Sequence, residues 1–381
     1  MAVRVTSASI NHPLVKMAPL IVAAMYAFIV ITCWGNGHFF HIIALFAGYT
    51  SAIMAAMVFT ASVVLIHAFW ARDARAAPVS ITSLVSRFVT DRWRADQGLS
   101  LWQPLLTFII LMTAFTFFKQ SALREVGFGW GPWIADADQM LFITDPWRIT
   151  HAVFASAWWT QAFDLAYHAW FAPTTLGVAF CAFARPGSVL SWRYLLTYCL
   201  LWIVLGSILA YAFPAAGPAY CANFQYQPHR FEALTQLLST QDTALRAQGA
   251  PGLSALVYQR HLLLNFQQGA FIFGGGISAM PSLHNALVVL FACAAGHLSP
   301  TLGRIMVGYA AIVWIGSIHL GWHYGLDGIV ALVATIGLWK CTGLIGWPAA
   351  SAQRADRWRA PPVARAFFAK RKRRYSMERG R

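Results

Sequence analysis

Eight stretches of this chain are long and apolar enough to bury themselves in hydrocarbon. They run over 14–34, 42–70, 101–118, 164–183, 194–213, 283–299, 305–321 and 325–346. A bilayer core of about 30 Å requires roughly 20 mostly apolar residues of helix to cross it. With no water there to satisfy peptide groups, only helices or closed barrels survive. Continuous runs of this length predict an all-α polytopic membrane bundle of about eight transmembrane helices. The second run is long enough to tilt or to project beyond the bilayer. The third and seventh are the shortest. Composition excludes the alternatives. Only 11% of residues are charged, too few to cover a soluble globule, which carries about 25%. With 58% hydrophobic residues, the chain is not of the disordered kind. Six cysteines in 381 residues are too sparse for a disulfide scaffold.

The net charge of +15 is distributed by side. With eight spans, 22 of the 28 Lys and Arg residues fall in segments on one face. These include Arg72, Arg75, Arg87, Arg92, Arg94 and the tail run Lys370-Arg371-Lys372-Arg373-Arg374. The positive-inside rule makes that face cytoplasmic and places both termini there. The first run is too long for a signal-peptide core and lacks a small-residue cleavage site, so it reads as an uncleaved first span. The outer face, periplasmic if the membrane is a bacterial inner membrane (the favoured case) or lumenal otherwise, retains Lys119, Arg124, Arg148, Arg230, Arg246 and Arg260. The chain divides into a two-helix extension with a basic loop (1–100), a catalytic membrane region (101–346) and a basic tail (347–381). A polybasic stretch beside a span attracts anionic lipid; no nucleic-acid role is read from it.

Two long segments, 119–163 and 214–282, lie outside. Loops longer than about 15 residues are usually functional or disordered, and these are too apolar and aromatic for disorder. Short interfacial helices, such as 231–246, are expected to roof a site.

Ionisable residues inside a membrane are costly and mark function. Here they gather at the outer ends of the last three spans. In Ser278-Ala279-Met280-Pro281-Ser282-Leu283-His284, His284 enters the first turn of a helix, where free N–H groups favour an anion. Ser282 reads as an N-cap or as a phosphate donor. In His319-Leu320-Gly321-Trp322-His323-Tyr324-Gly325-Leu326-Asp327, His323 and Asp327 are four apart and share a helix face. A carboxylate on one imidazole nitrogen sets the tautomer and raises the basicity of the other. One histidine can then attack phosphorus while the other protonates the leaving oxygen. A cation is needed for the phosphate, with Lys119 and Arg124 as candidates.

Pro281-Ser282-Leu283-His284 and His323-Tyr324-Gly325-Leu326-Asp327 resemble the second and third signature motifs of the type 2 phosphatidic acid phosphatase superfamily. The resemblance is closest to its inositol phosphorylceramide synthase-like branch. That branch also has stretches similar to Pro214–Pro218, Asp145-Pro146-Trp147 and Tyr167-His168, so the resemblance covers about 118–330. It implies a core of the lipid phosphatase/haloperoxidase type and a phosphohistidine mechanism. His323 would be the nucleophile, Asp327 its orienter and His284 the general acid, with no cofactor and no metal. Two features depart from the superfamily. Its first motif, a Lys, six residues and then Arg-Pro, is missing, since Arg185-Pro186 has no Lys at that spacing and falls on the cytoplasmic side. The Arg that usually precedes the third-motif His by six residues is Ser317 here. Phosphate contacts are therefore assigned to Lys119 and Ser282, with His319 as a helper, and Tyr167, His168 and Arg124 are possible pocket residues.

The expected function is a lipid phosphatase or phospho-head-group transferase acting on a membrane lipid phosphate, with water or an alcohol as acceptor. Two rivals use the same residues. A proton-coupled transporter would use the His/Asp cluster as a relay, and a metal site would draw on His284, His319, His323 and Asp327.

Overall fold

The computed structural model describes residues 13–70, 81–184, 188–224, 227 and 229–345. The basic tail and part of the first basic loop, 71–80, lie outside the described residues. All regular structure within them is helical. Fourteen helices are numbered here: α1 (Pro13–Trp34), α2 (Phe39–Trp70), α3 (Ile81–Asp96), α4 (Leu99–Val126), α5 (Gly131–Phe142), α6 (Pro146–Val153), α7 (Ala157–His168), α8 (Phe171–Phe183), α9 (Val189–Ala212), α10 (Glu232–Ala247), α11 (Ser254–Gln267), α12 (Leu283–Leu298), α13 (Pro300–His319) and α14 (Gly325–Ile345).

Six of them are long and apolar enough to cross a membrane: α1, α2, α4, α9, α13 and α14. The protein is thus an integral-membrane helical bundle. Two of the eight apolar runs come out differently. The sixth is a 16-residue helix, α12, bounded by Ser282 at its start and by Ser299 and Pro300 at its end. The fourth is not one helix. It breaks after His168, and α8 restarts at Phe171 with Pro173 in its first turn. Pro173 has no N–H to offer an earlier carbonyl and crowds the preceding turn, so a continuous helix would be broken there. In the first turn that missing N–H costs nothing. The third run is longer than its apolar core, and α4 continues past Lys119 and Arg124 to Val126.

α4 is the central post. It packs against α1, α2, α8 and α9 and is far more buried than α1 or α2. Those two leave Met25, Phe28, Phe40 and Val58 exposed, as helices facing lipid should. α12 packs against α13 and α14.

One end of the bundle is roofed by α5–α7 and α10–α11. α10 buries Leu234, Leu238, Gln241 and Leu245, the spacing of a single helical face. Arg230 staples the two roof segments. It donates to Asp145 (2.9 and 3.0 Å), Asp136 (2.5 Å) and the Ala135 carbonyl (2.7 Å).

The proline-rich stretch after α9 threads between the two motif segments. Ala279 N–H donates to the Ala215 carbonyl (2.7 Å), and Ala219 N–H to the Gly321 carbonyl (2.9 Å). Gly217 lies between them at φ +95°, and a Cβ there would stand 2.5 Å from the Trp322 carbonyl. Gly217→Ala therefore meets both backbone strain and a clash beside His323. A stability loss of about 1–3 kcal/mol is expected, the usual cost of such strain. Thermal unfolding in detergent checks it, with activity falling in the same variant.

Candidate active site

His284 begins α12. Ser282 caps that helix, its hydroxyl accepting from Asn285 N–H (3.3 Å) and from the Asn285 side chain (3.0 Å), as N-cap serines do. Asn285 also donates to the Ser317 hydroxyl of α13 (3.3 Å). The Ser317 carbonyl in turn accepts from Trp322 N–H (3.0 Å) and His323 N–H (3.1 Å). Ser317 is thus a buried joint between α12, α13 and the corner that carries His323.

His323 Nδ1 faces two acceptors, the Ala279 carbonyl at 2.8 Å and Asp327 Oδ2 at 3.3 Å. A nitrogen between two acceptors must carry the proton. Its Nε2 is therefore the lone-pair nitrogen, and it lies 3.4 Å from His284 Nδ1. Asp327 Oδ2 is itself fixed by Tyr324 N–H (2.9 Å). The sequence assigned orientation to Asp327 alone. The shorter bond goes to a backbone carbonyl, which no residue-type motif reveals.

His284 and His323 line a cavity of about 600 Å³. Lys119, His284 and His323 stand on its walls with Tyr167 and His168, and Phe108, Met112, Phe115 and Trp202 line it further along the bundle. From Lys119 to Phe108 the cavity follows about 16 Å of α4 at 1.5 Å rise per residue. The wall is largely apolar and, among the described residues, holds no carboxylate. Tyr49 brings α2 to this wall, its hydroxyl bonded to Thr116 of α4.

The remaining sequence candidates separate. Tyr167 stacks on His284 (ring centroids 4.8 Å apart) and His168 lines the cavity. Ser282 is buried at the cap and does not line the cavity. Arg124 lies over the rings of Phe266 and Phe271, outside the lining. His319 needs a correction. It is fully buried, stacks on His151 (3.6 Å) and contacts the hydroxyls of Thr150 (3.1 Å) and Thr160 (2.8 Å). Its ring points away from the cavity because it ends α13, four residues before the corner that turns His323 inward. The metal reading, which needs His319 beside His284, loses its geometry, and among the described residues no group of three or more His, Cys, Asp or Glu is placed to hold a metal.

Of the six basic residues Lys119, Arg124, Arg148, Arg230, Arg246 and Arg260, Lys119 alone lines the cavity. Arg230 is committed to the roof, Arg246 to Asp242 (2.8 Å), and Arg148 to the Trp147 ring and Asp145. Arg260 is exposed.

With this geometry in place, comparison with known proteins is informative. A profile described as PAP2 superfamily matches residues 132–340, more than half of the chain. The chain belongs to the PAP2 superfamily. The matched region contains His284, His323 and Asp327 but starts after Lys119. It makes the protein a membrane phosphatase-like member of that superfamily, whose enzymes are of the phosphatase type. Neither the curated proteins nor the solved structures give a significant match.

Two site-supporting residues escape sequence reasoning. Trp170 sets its ring edge against His284 (4.3 Å). Asp138 of α5 accepts from Gly325 N–H and Leu326 N–H, both at 2.7 Å, and so holds the start of α14 where Asp327 sits. No local pattern signals a contact across 187 residues. Burial pushes the Asp138 carboxyl up from 3.8 to about 6, against the lowering effect of its two N–H bonds, and the charges of Asp327 and Asp145 push it further up. The folded state then binds more protons than the unfolded one between pH 4 and 6, so this group's contribution to stability falls as pH rises through that window. The melting temperature of the wild type relative to Asp138→Asn is expected to fall from about pH 4 to about pH 6 and to level off above, as measured by thermal unfolding in detergent.

Proposed function

We propose that this PAP2 protein is a lipid phosphatase or phospho-head-group transferase working through a phosphohistidine on His323. The observation that carries the reading is the 3.4 Å approach of His323 Nε2 to His284 Nδ1, with His323 Nδ1–H already held, on the wall of a carboxylate-free cavity. Such a cavity suits an amphipathic anion. The phosphate would sit by Lys119 and the two histidines, and acyl chain would extend along α4 past Met112 and Phe108.

In the first step His323 Nε2 forms a bond to phosphorus, and the ester P–O bond breaks. The leaving oxygen takes a proton from His284. In the second step water or an alcohol attacks phosphorus, the N–P bond breaks, and His284 takes the attacking hydroxyl's proton back. At 3.4 Å the two rings leave no room for phosphorus between them, so His284 turns from Nε2 toward the leaving oxygen as substrate enters. Asp327 orients His323, and Lys119 balances phosphate charge. Ser282 contributes by holding the start of α12. The same residues serve hydrolysis and transfer, and the inositol phosphorylceramide synthase-like motifs favour transfer.

Eight membrane crossings, with α8 and α12 as the two short ones, put both termini in the cytoplasm and the site on the outer side. α12 spans about 24 Å at 1.5 Å per residue, less than the roughly 30 Å hydrocarbon core. The histidines are then recessed below the outer surface, within reach of a lipid head group drawn slightly inward.

The test is turnover of a panel of lipid phosphates, with and without alcohol acceptors, by purified protein in EDTA. His323→Ala should abolish product, and full activity in that variant would sink the reading. His284→Ala should lose about 100-fold or more, the usual worth of a general acid. Lys119→Met should lower kcat/KM by about 100-fold, as for removal of one charge-stabilising donor.

A further inference from the structure

A second histidine on the cavity wall repeats the arrangement found at His323. His168 Nδ1 faces the Asp164 backbone carbonyl at 2.8 Å and the Asp164 carboxylate at 3.1 Å. At His323 the corresponding distances are 2.8 and 3.3 Å. Nδ1 must again carry the proton, and in the neutral ring Nε2 holds the lone pair. Asp164 cannot turn away, because Ser254 N–H (2.6 Å) and Ala255 N–H (2.9 Å) at the start of α11 hold its two oxygens. The His168 ring stacks on Tyr258 (5.0 Å), with the edge of Trp322 at 6.5 Å. Its Nε2 has no hydrogen-bond partner among the described residues, and the side chain is 27% exposed on the cavity wall.

Two further polar groups of this wall are buried without partners, the Tyr167 hydroxyl and Trp322 Nε1. Unpaired buried polar groups are costly, and here one fixed acceptor and two donors gather around aromatic faces. That chemistry differs from the cationic Lys119 on α4. Any charge on the His168 ring is balanced by Asp164, so this wall offers an anion no net countercharge. It suits an uncharged alcohol that has a hydroxyl to give.

We propose that His168, oriented by Asp164, is a specificity-determining residue of an alcohol subsite. Its Nε2 accepts a hydrogen bond from a second hydroxyl on the alcohol that leaves or accepts the phosphoryl group. Tyr167 and Trp322 complete the subsite. The proposal rests on the phosphohistidine reading and adds the chemical class of the alcohol: one with a hydroxyl beyond the reacting one. A site built to bond a hydroxyl discriminates strongly against an analogue that lacks it, because its buried groups are then left unpaired.

The experiment is a partition measurement. Full-length protein in detergent turns over a lipid phosphate in the presence of equal concentrations of glycerol and 1-propanol, and the ratio of glycerol phosphate to propyl phosphate is read. The ratio does not depend on how much enzyme is folded. Wild type should favour glycerol beyond its statistical share of hydroxyls by about fivefold or more, the worth of one buried hydrogen bond. His168→Phe keeps an aromatic ring against Tyr258 and should bring the ratio to the statistical value. His168→Gln, which retains an acceptor oxygen, should recover part of the preference. An unchanged ratio in His168→Phe, or no glycerol preference in wild type, overturns the proposal. Full activity in His323→Ala, run alongside, overturns the phosphohistidine reading instead.

Discussion

His323 Nδ1–H donates to the carbonyl of Ala279, and that bond joins two parts of the chain that meet only in the folded protein. Ala279 lies on the approach to α12, five residues before His284. His323 lies in the corner between α13 and α14. One bond of 2.8 Å therefore sets the tautomer of one imidazole and brings the other beside it. The surrounding backbone supports it. Ala215 receives Ala279, Gly321 receives Ala219, and Ser317 receives both Trp322 and His323. Gly217 lets these strands of chain approach without a side chain between them. A buried polar network of this kind is stabilising only when each member is satisfied, so the roof and the proline-rich stretch have to be in place for the histidines to be aimed.

The charge distribution poses a problem that the packing answers. Few basic residues lie in the segments that surround the histidines, although a phosphate site needs at least one. Four of the six are tied up elsewhere or lie over aromatic rings, and one is exposed. Lys119 reaches the cavity because α4 is the central helix of the bundle. A residue on its inner face has nowhere else to point. Its neighbour across the gap is Gly276, whose missing side chain leaves space for the lysine stem: a Cβ there would stand 2.8 Å from Lys119 Cγ. Gly276 is thus the complement of the lysine.

Much of this was legible in the residues, though unevenly. The i, i+4 rule found His323 and Asp327 because a helix places them on one face whatever surrounds it. The same rule applies to Asp164 and His168, which the Tyr-His pairing obscured. Hydropathy located α1, α2, α4, α9, α13 and α14. It misread 164–183 as one helix because an apolar average is blind to Pro173. His319 shares a motif with His323, yet the turn at Leu320–Trp322 sends the two rings in opposite directions.

The sequence by itself determined the solvent this protein folds in and singled out the candidate pair His323–Asp327, with His284 as its proposed partner. Those follow from local facts: apolar run length, the sign of charge in loops and the periodicity of a helix. Only the tertiary structure decided which carbonyl holds His323, which cation faces the histidines, and which histidine shares their cavity. Each of those choices depends on groups far apart in the chain, brought together by the packing of α4, α12 and α14 beneath the roof, and residue spacing carries no record of that distance.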